Sequence, residues 1–216
     1  KSTHQSSALS MTGYKRIKEG VFSLEIKRSQ FIAYSYAVET EAEAADKLSG
    51  IRSRHYDARH VCFAYICGDN GVTVRFSDDG EPAGTAGRPI LDVLKKNRLQ
   101  NSLIAVVRYF GGILLGAGGL TRAYSDSAAG VVKSSGCVFM CPKDVYLIQT
   151  DYSTYKKIAP AIKKRGDVIA VEYANDVKAT VACGENTPFG EYIRDVSAGK
   201  VAAKRLRTEY FVTEEA

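Results

Sequence analysis

The sequence has no apolar run approaching the ~18–20 residues a helix needs to cross a bilayer. Near its start it lacks the charged, apolar and small-residue series of a secretory signal. Both absences argue against a membrane partner and for a cytoplasmic protein. A disulfide framework is equally unsupported. The five cysteines, Cys62, Cys67, Cys137, Cys141 and Cys183, are odd in number and none is spaced Cys-x-x-Cys. Several lie in apolar runs such as Val61-Cys62-Phe63-Ala64, and so read as buried free thiols in a reducing compartment. No pair of histidines has His-x-x-His metal spacing, and no serine sits in a nucleophile elbow. No glycine run carries the Gly-Lys-Ser/Thr of a Walker loop or the Gly-x-Gly-x-x-Gly of a dinucleotide site.

What is present suits two soluble domains. The chain has 216 residues, 45% hydrophobic and 25% charged, against roughly 100–150 residues per domain. Residues 1–10 are polar and serine-rich ahead of Met11, and read as a tag or leader outside the fold. The net charge of +6 is uneven. Before Lys143 there are 18 Lys+Arg against 13 Asp+Glu, and from Lys143 onward 12 against 11. The first part therefore carries what pull there is toward an anionic partner.

Periodicity and punctuation predict the elements. Val21–Ile26 and Phe31–Val38 read as strands joined by a Lys27–Gln30 turn. Glu41–Arg54 reads as a helix, with Thr40 as cap, Glu43 at the capping-box position and Ala44, Leu48 and Ile51 on one face. Val61–Cys67 and Val72–Ser77 form a hairpin around Gly68-Asp69-Asn70-Gly71. Pro89–Lys96 opens as a helix on its proline, Leu103–Tyr109 is an apolar strand, and Leu120–Ser134 is a helix beyond a glycine-rich loop. Pro142 marks the expected boundary, giving domains 11–141 and 142–216. The second reads β-α-β-β-α-β: Val145–Tyr152, Tyr155–Lys164, Val168–Tyr173, Val177–Cys183, Thr187–Ala198 and Arg205–Val212. That order is the ferredoxin-like pattern, so the fold class expected is α+β.

Two segments stand out. Phe76 to Pro89 sets Asp78, Asp79 and Glu81 ahead of small residues and a helix start. Arg108 to Tyr124 places Gly111, Gly112, Gly116, Gly118 and Gly119 between an apolar strand and a helix, flanked by Arg108 and Arg122. With Lys27–Ala33 and Ala58–Tyr65, these stretches resemble the four signature segments of the IMPACT/YigZ family and cover most of the first domain. The resemblance, to the two-domain bacterial branch, implies a first domain with the left-handed-crossover β-α fold. That fold is shared by a small-subunit ribosomal protein domain, domain four of elongation factor G and the GHMP kinases. It implies that the pair of domains is similar to the last two of elongation factor G, and it implies no enzymatic activity. The chain departs from the family pattern at Leu114, where many members carry Lys, and at Val61, where Asn is common. The first departure removes a cation from the glycine loop. The eukaryotic members' extra N-terminal domain has no counterpart here, so inhibition of a starvation kinase is not carried over.

The residues themselves leave alternatives open. A glycine loop before a helix can present N–H groups and a positive dipole end to phosphate, or can simply let backbones pack closely. Arg108, Arg122, Arg88, Arg59 and His60 are the cations that would complete such a site with Gly111, Gly112, Gly118 and Gly119. Asp78, Asp79 and Glu81 can hold Mg²⁺, or can cap the next helix and pair with arginines. His60 and Cys62 share a strand face as a conceivable nucleophile pair, against a core reading for Cys62. Further exposed cations are expected at Lys27, Arg28, Arg52, Arg54, Lys95, Lys96 and Arg98, with Tyr56, Tyr65 and Tyr109 as stacking faces, and in the tail at Lys163–Arg165 and Lys204-Arg205. The functional expectation is a non-catalytic, translation-associated protein that binds RNA or the ribosome and needs no cofactor. The alternatives are an enzyme on a small phosphorylated substrate using Mg²⁺, and a protein-interaction module.

Overall fold

The computed structural model describes residues 13–68 and 71–213; the expected leader and the Asp69-Asn70 turn pair lie outside the described residues. The chain divides into two compact units, Tyr14–Phe139 and Met140–Thr213. It is mixed α+β, and no helix among the described residues is long and apolar enough to cross a membrane.

The first unit contains β1 (Tyr14–Ile17), β2 (Gly20–Ile26), β3 (Ser29–Ala37), α1 (Glu41–Arg54), β4 (His60–Cys67), β5 (Thr73–Ser77), α2 (Gly87–Lys96), β6 (Ser102–Tyr109) and α3 (Gly116–Ser135). The first residues of β7 (Cys137–Thr150) also belong to it. Its main sheet runs β2-β3-β6-β4-β5 with every pair antiparallel. The central strand β6 is buried from Ser102 to Arg108, because helices cover both faces. Leu103, Ala105 and Val107 meet α1, while Ile104 and Val106 meet α2 and α3. This is the period-two alternation of a strand, with both sides apolar.

Local chemistry explains the boundaries. The Thr40 side chain accepts the Glu43 N–H at 3.2 Å and starts α1 where expected, a cap typically worth about 1 kcal/mol. Glu43 reaches back one residue further than in a standard capping box, to the Glu39 N–H at 2.8 Å. The first hairpin is tighter than expected. Lys27 and Arg28 alone form the turn, with φ of 46° and 66°, while Ser29 and Gln30 pair with Ile26 and Glu25. Positive φ at both turn residues matches the twist of the flanking strands. Helix α3 starts at Gly116, four residues before the expected Leu120, and so absorbs much of the glycine loop.

The second unit adds α4 (Tyr152–Arg165), β8 (Asp167–Tyr173), β9 (Val177–Gly184), α5 (Phe189–Val196) and β10 (Ala203–Thr213). The strand order is β10-β7-β9-β8. Its core gathers Ile148, Ile158, Ile162, Val181, Phe189 and Ile193. Helix α4 begins earlier than expected, because Asp151 accepts the Thr154 N–H at 2.9 Å and caps it.

Candidate functional site

Alternation along β6 would put an apolar residue at position 108, facing α2 and α3; the chain has Arg108 there. Its side chain is 7% exposed. A buried charge needs a partner, and Glu81, itself 3% exposed, supplies one: Nη1 donates to Oε1 at 2.7 Å. Tyr124 of α3 donates its hydroxyl to the same oxygen at 2.7 Å. The guanidinium lies 5.5 Å from the ring centre of Phe31 and 5.6 Å from that of Phe110. Its Nε–H is buried without an acceptor among the described residues.

Around Arg108 opens a cleft of about 380 Å³. With Arg108 it is lined by the polar Arg59, His60 and Glu81, by the apolar Pro82, Phe110, Leu114 and Leu115, and by Gly116, Ala117 and Leu120 from the start of α3. No side chain caps this 20-residue helix, so its first-turn N–H groups and positive dipole end are available. His60 Nδ1 lies 2.8 Å from the Asp79 carbonyl oxygen. That oxygen can only accept, so Nδ1 carries the proton and leaves Nε2 unused by this contact. Glu81 offsets Arg108, and the net cationic elements of the cleft are Arg59 and the helix end.

The three neighbouring carboxylates do not converge. Asp78 turns onto the backbone, accepting N–H from Gly84 at 2.8 Å, Ala86 at 3.0 Å and Gly87 at 2.8 Å. Burial raises its pKa, but these donors outweigh burial and hold the carboxyl below its usual value. Asp79, at φ 43°, turns to α1: Arg52 grips both oxygens at 2.9 and 3.0 Å, and the Val61 N–H donates at 2.7 Å. Burial again raises this pKa, and Arg52 with the Val61 N–H lowers it further than burial lifts it. Glu81 enters the core. Among the described residues no group of three or more His, Cys, Asp or Glu is placed to hold a metal ion, and these carboxylates, each turned to different partners, do not fit Mg²⁺.

The structure brings Arg59, His60 and Arg108 together, but not Arg88 or Arg122. Arg88 pairs with Asp92 on α2 at 3.1 Å, and Arg122 lies on the exposed face of α3. Gly111 packs: an added Cβ would sit 2.0 Å from the Arg28 carbonyl carbon. Gly112 is exposed with φ 83°, and Gly118 and Gly119 lie in the first turn of α3. Cys62 is fully buried and its thiol donates to the Asp78 carbonyl at 3.0 Å. Burial pushes this thiol up to about 12, so it is no nucleophile. Of the expected stacking tyrosines, Tyr65 is buried beside Glu41, and Tyr109 is bound to His55 and Asp57. Tyr56 is exposed but does not line the cleft. Phe110, Pro82 and Leu115 were missed by sequence reasoning. Only Phe110 offered a signal, as an aromatic residue directly after an apolar strand and before glycines.

The sequence pattern of the Impact N-terminal domain matches residues 27–132. The IMPACT family member YvyE of Bacillus subtilis is 36% identical over 201 residues, covering 91% of this chain and 93% of that protein. The IMPACT family member YigZ of Escherichia coli is 34% identical over 182 residues, covering 82% and 89%. A solved structure described as the crystal structure of a hypothetical protein is 30% identical, with a TM-score of 0.62 over 91% of this chain and 98% of that one. By its first-unit motifs, and by likeness to these bacterial relatives along nearly its whole length, this chain belongs to the IMPACT family.

Proposed function

We propose that this is a non-catalytic, translation-associated cytoplasmic protein that engages RNA, free or within the ribosome, through phosphate contacts in the first-unit cleft. The observation that carries the reading is the convergence of Arg59, Arg108 and the uncapped start of α3 on one cleft. Charged and helix-end donors of this kind suit phosphate oxygens. Cys62, which with His60 formed the conceivable nucleophile pair, is fully buried with its thiol on the Asp78 carbonyl, and this supports the non-catalytic reading. Translation is argued from fold analogy. The second unit's strand order, β10-β7-β9-β8 with two helices, supports a ferredoxin-like reading. Placed after an IMPACT-type first unit, it suits the likeness to the end of elongation factor G.

The test is co-sedimentation with purified ribosomes at low and high salt, comparing wild type with Arg59→Gln. Arg59 is exposed and its replacement leaves the core intact; Arg108→Ala is avoided because Arg108 holds Glu81. Binding should fall with salt, each phosphate contact adding about 0.7–0.9 to the logarithmic slope, and Arg59→Gln should lower that slope. No sedimentation at low salt would remove the reading. The cleft volume of about 380 Å³ favours a second one, since small-ligand sites span roughly 300–1,000 Å³: a small phosphorylated molecule bound alone. Stabilisation by such a molecule without any ribosome association would select it.

A further inference from the structure

The cleft has an apolar half that phosphate does not use. Phe110 is 50% exposed, Ile113 42% and Leu114 82%. These exposed large hydrophobic residues cluster within five positions of chain at the mouth of a cationic cleft, and Phe110 and Leu114 line it with Pro82. Scattered apolar residues on a surface need no explanation, but a cluster beside convergent charged groups marks a ligand surface.

Phe110 is also held in place. Arg108 lies against its ring, and Arg108 is fixed by Glu81, which Tyr124 holds in turn. Gly111 is pinned to the Lys27-Arg28 turn, its N–H donating to the Ser29 hydroxyl at 3.1 Å. Phe110 is thus anchored on both sides in sequence, with half its surface free. A rigid aromatic platform beside a helix N-terminus and arginines fits a ligand with a flat π-face at one end and an anion at the other.

We propose that the cleft takes one unpaired nucleotide, its base stacked on Phe110 and its phosphate held by Arg59 and the first turn of α3. This rests on the phosphate reading above and adds the class of ligand. A duplex is disfavoured, because its bases are already stacked on each other, whereas single-stranded RNA splays bases onto aromatic side chains. The same chemistry serves a free nucleoside monophosphate and a nucleotide within a strand.

The test measures affinities for ribose 5-phosphate, AMP, a hexa-adenosine RNA and a blunt RNA duplex, for wild type, Phe110→Leu, Phe110→Tyr and Arg59→Gln. Leu keeps an apolar contact for Arg108 but has no π-face, and Tyr restores the face. Wild type should prefer AMP or the hexamer over ribose 5-phosphate by about 5- to 100-fold. Phe110→Leu should abolish that preference while leaving ribose 5-phosphate binding unchanged, Phe110→Tyr should keep it, and Arg59→Gln should weaken every probe. A hexamer binding where AMP does not identifies the strand as the source; AMP binding as well as the hexamer identifies the free nucleotide. Measurable binding of AMP and ribose 5-phosphate with equal affinity, a preference that survives Phe110→Leu, or tighter binding of the duplex would overturn the stacking proposal and leave the phosphate reading standing. Failure of all four probes at low salt would overturn both.

Discussion

Replacing Glu81 by Leu should cost the first unit about 3–5 kcal/mol, the penalty of leaving a buried charge unpaired. The geometry sets that figure. Arg108 is 7% exposed and Glu81 is its only ion-pair partner among the described residues. The contacts that remain, to the rings of Phe31 and Phe110, are worth no more than about 0.5–2 kcal/mol each. Arg108→Met strands the opposite charge and should cost a similar amount, since Glu81 would keep only the Tyr124 hydroxyl. The double variant should recover most of the loss, because a buried pair exchanged for apolar side chains of similar volume is often neutral or stabilising. Tyr124→Phe removes the bond to Glu81 and a long, weak thiol contact from Cys62 while leaving the pair, and should cost only about 1 kcal/mol. The assay is urea unfolding followed by circular dichroism. The two units need not melt together, and the shift should be confined to one transition. Single variants that each lose less than about 1 kcal/mol, or a double variant no more stable than the worse single one, would refute the buried-pair argument.

Three further outcomes are expected. Gly111→Ala should destabilise the first unit by about 1–3 kcal/mol or more, read by the same unfolding assay, because the new methyl would overlap the Arg28–Ser29 backbone. Titration of the native protein with a thiol reagent at mildly alkaline pH should leave Cys62 unmodified until unfolding, since burial holds it near 12, while the half-buried Cys137 and Cys141 react first. Asp78 and Asp79 have folded-state pKa values below the ordinary 3.8, so their stabilisation is complete above that value and is lost as pH falls through the lower ones; Asp78→Asn should flatten the loss of stability below pH 3.8, and an unchanged acid profile would argue against a stabilising role for the backbone hydrogen bonds Asp78 accepts.

Much of the fold was legible because its signals were local. Helix α1 runs from Glu41 to Arg54 as Thr40, Glu43 and the spacing of Ala44, Leu48 and Ile51 predict. Helix α3 was underread, since glycine has poor helix propensity; yet the first turn makes few intrahelical N–H bonds, so glycines there cost less than in a helix interior. The site was legible in its members and not in their grouping. Asp78, Asp79 and Glu81 look like a cluster along the chain, but positive φ at Asp79 and Gly80 sends them three ways. Arg108 was chosen for its charge; that its partner would be Glu81, 27 positions away, depends on which strand face each residue meets. Phe110 carries no charge, and its place between an apolar strand and glycines suits a core aromatic as well as a cleft one; the shape of the cleft decides between them.

The loop from Ser77 to Ala86 bears on how the molecule opens. By composition it is a short run of Asp, Gly, Ala and Pro that a protease or an inserted segment would be expected to enter. Yet its carboxylates grip α1 on one face of the sheet, Arg108 and Tyr124 on the other, and the amides leading into α2. It behaves as a clasp. The amide hydrogens of the buried Ala86 and Gly87 should therefore exchange with solvent as slowly as those of the strands, released only when the whole unit comes apart. The same clasp makes this glycine-rich segment one of the poorest places in the first unit to cut or lengthen the chain.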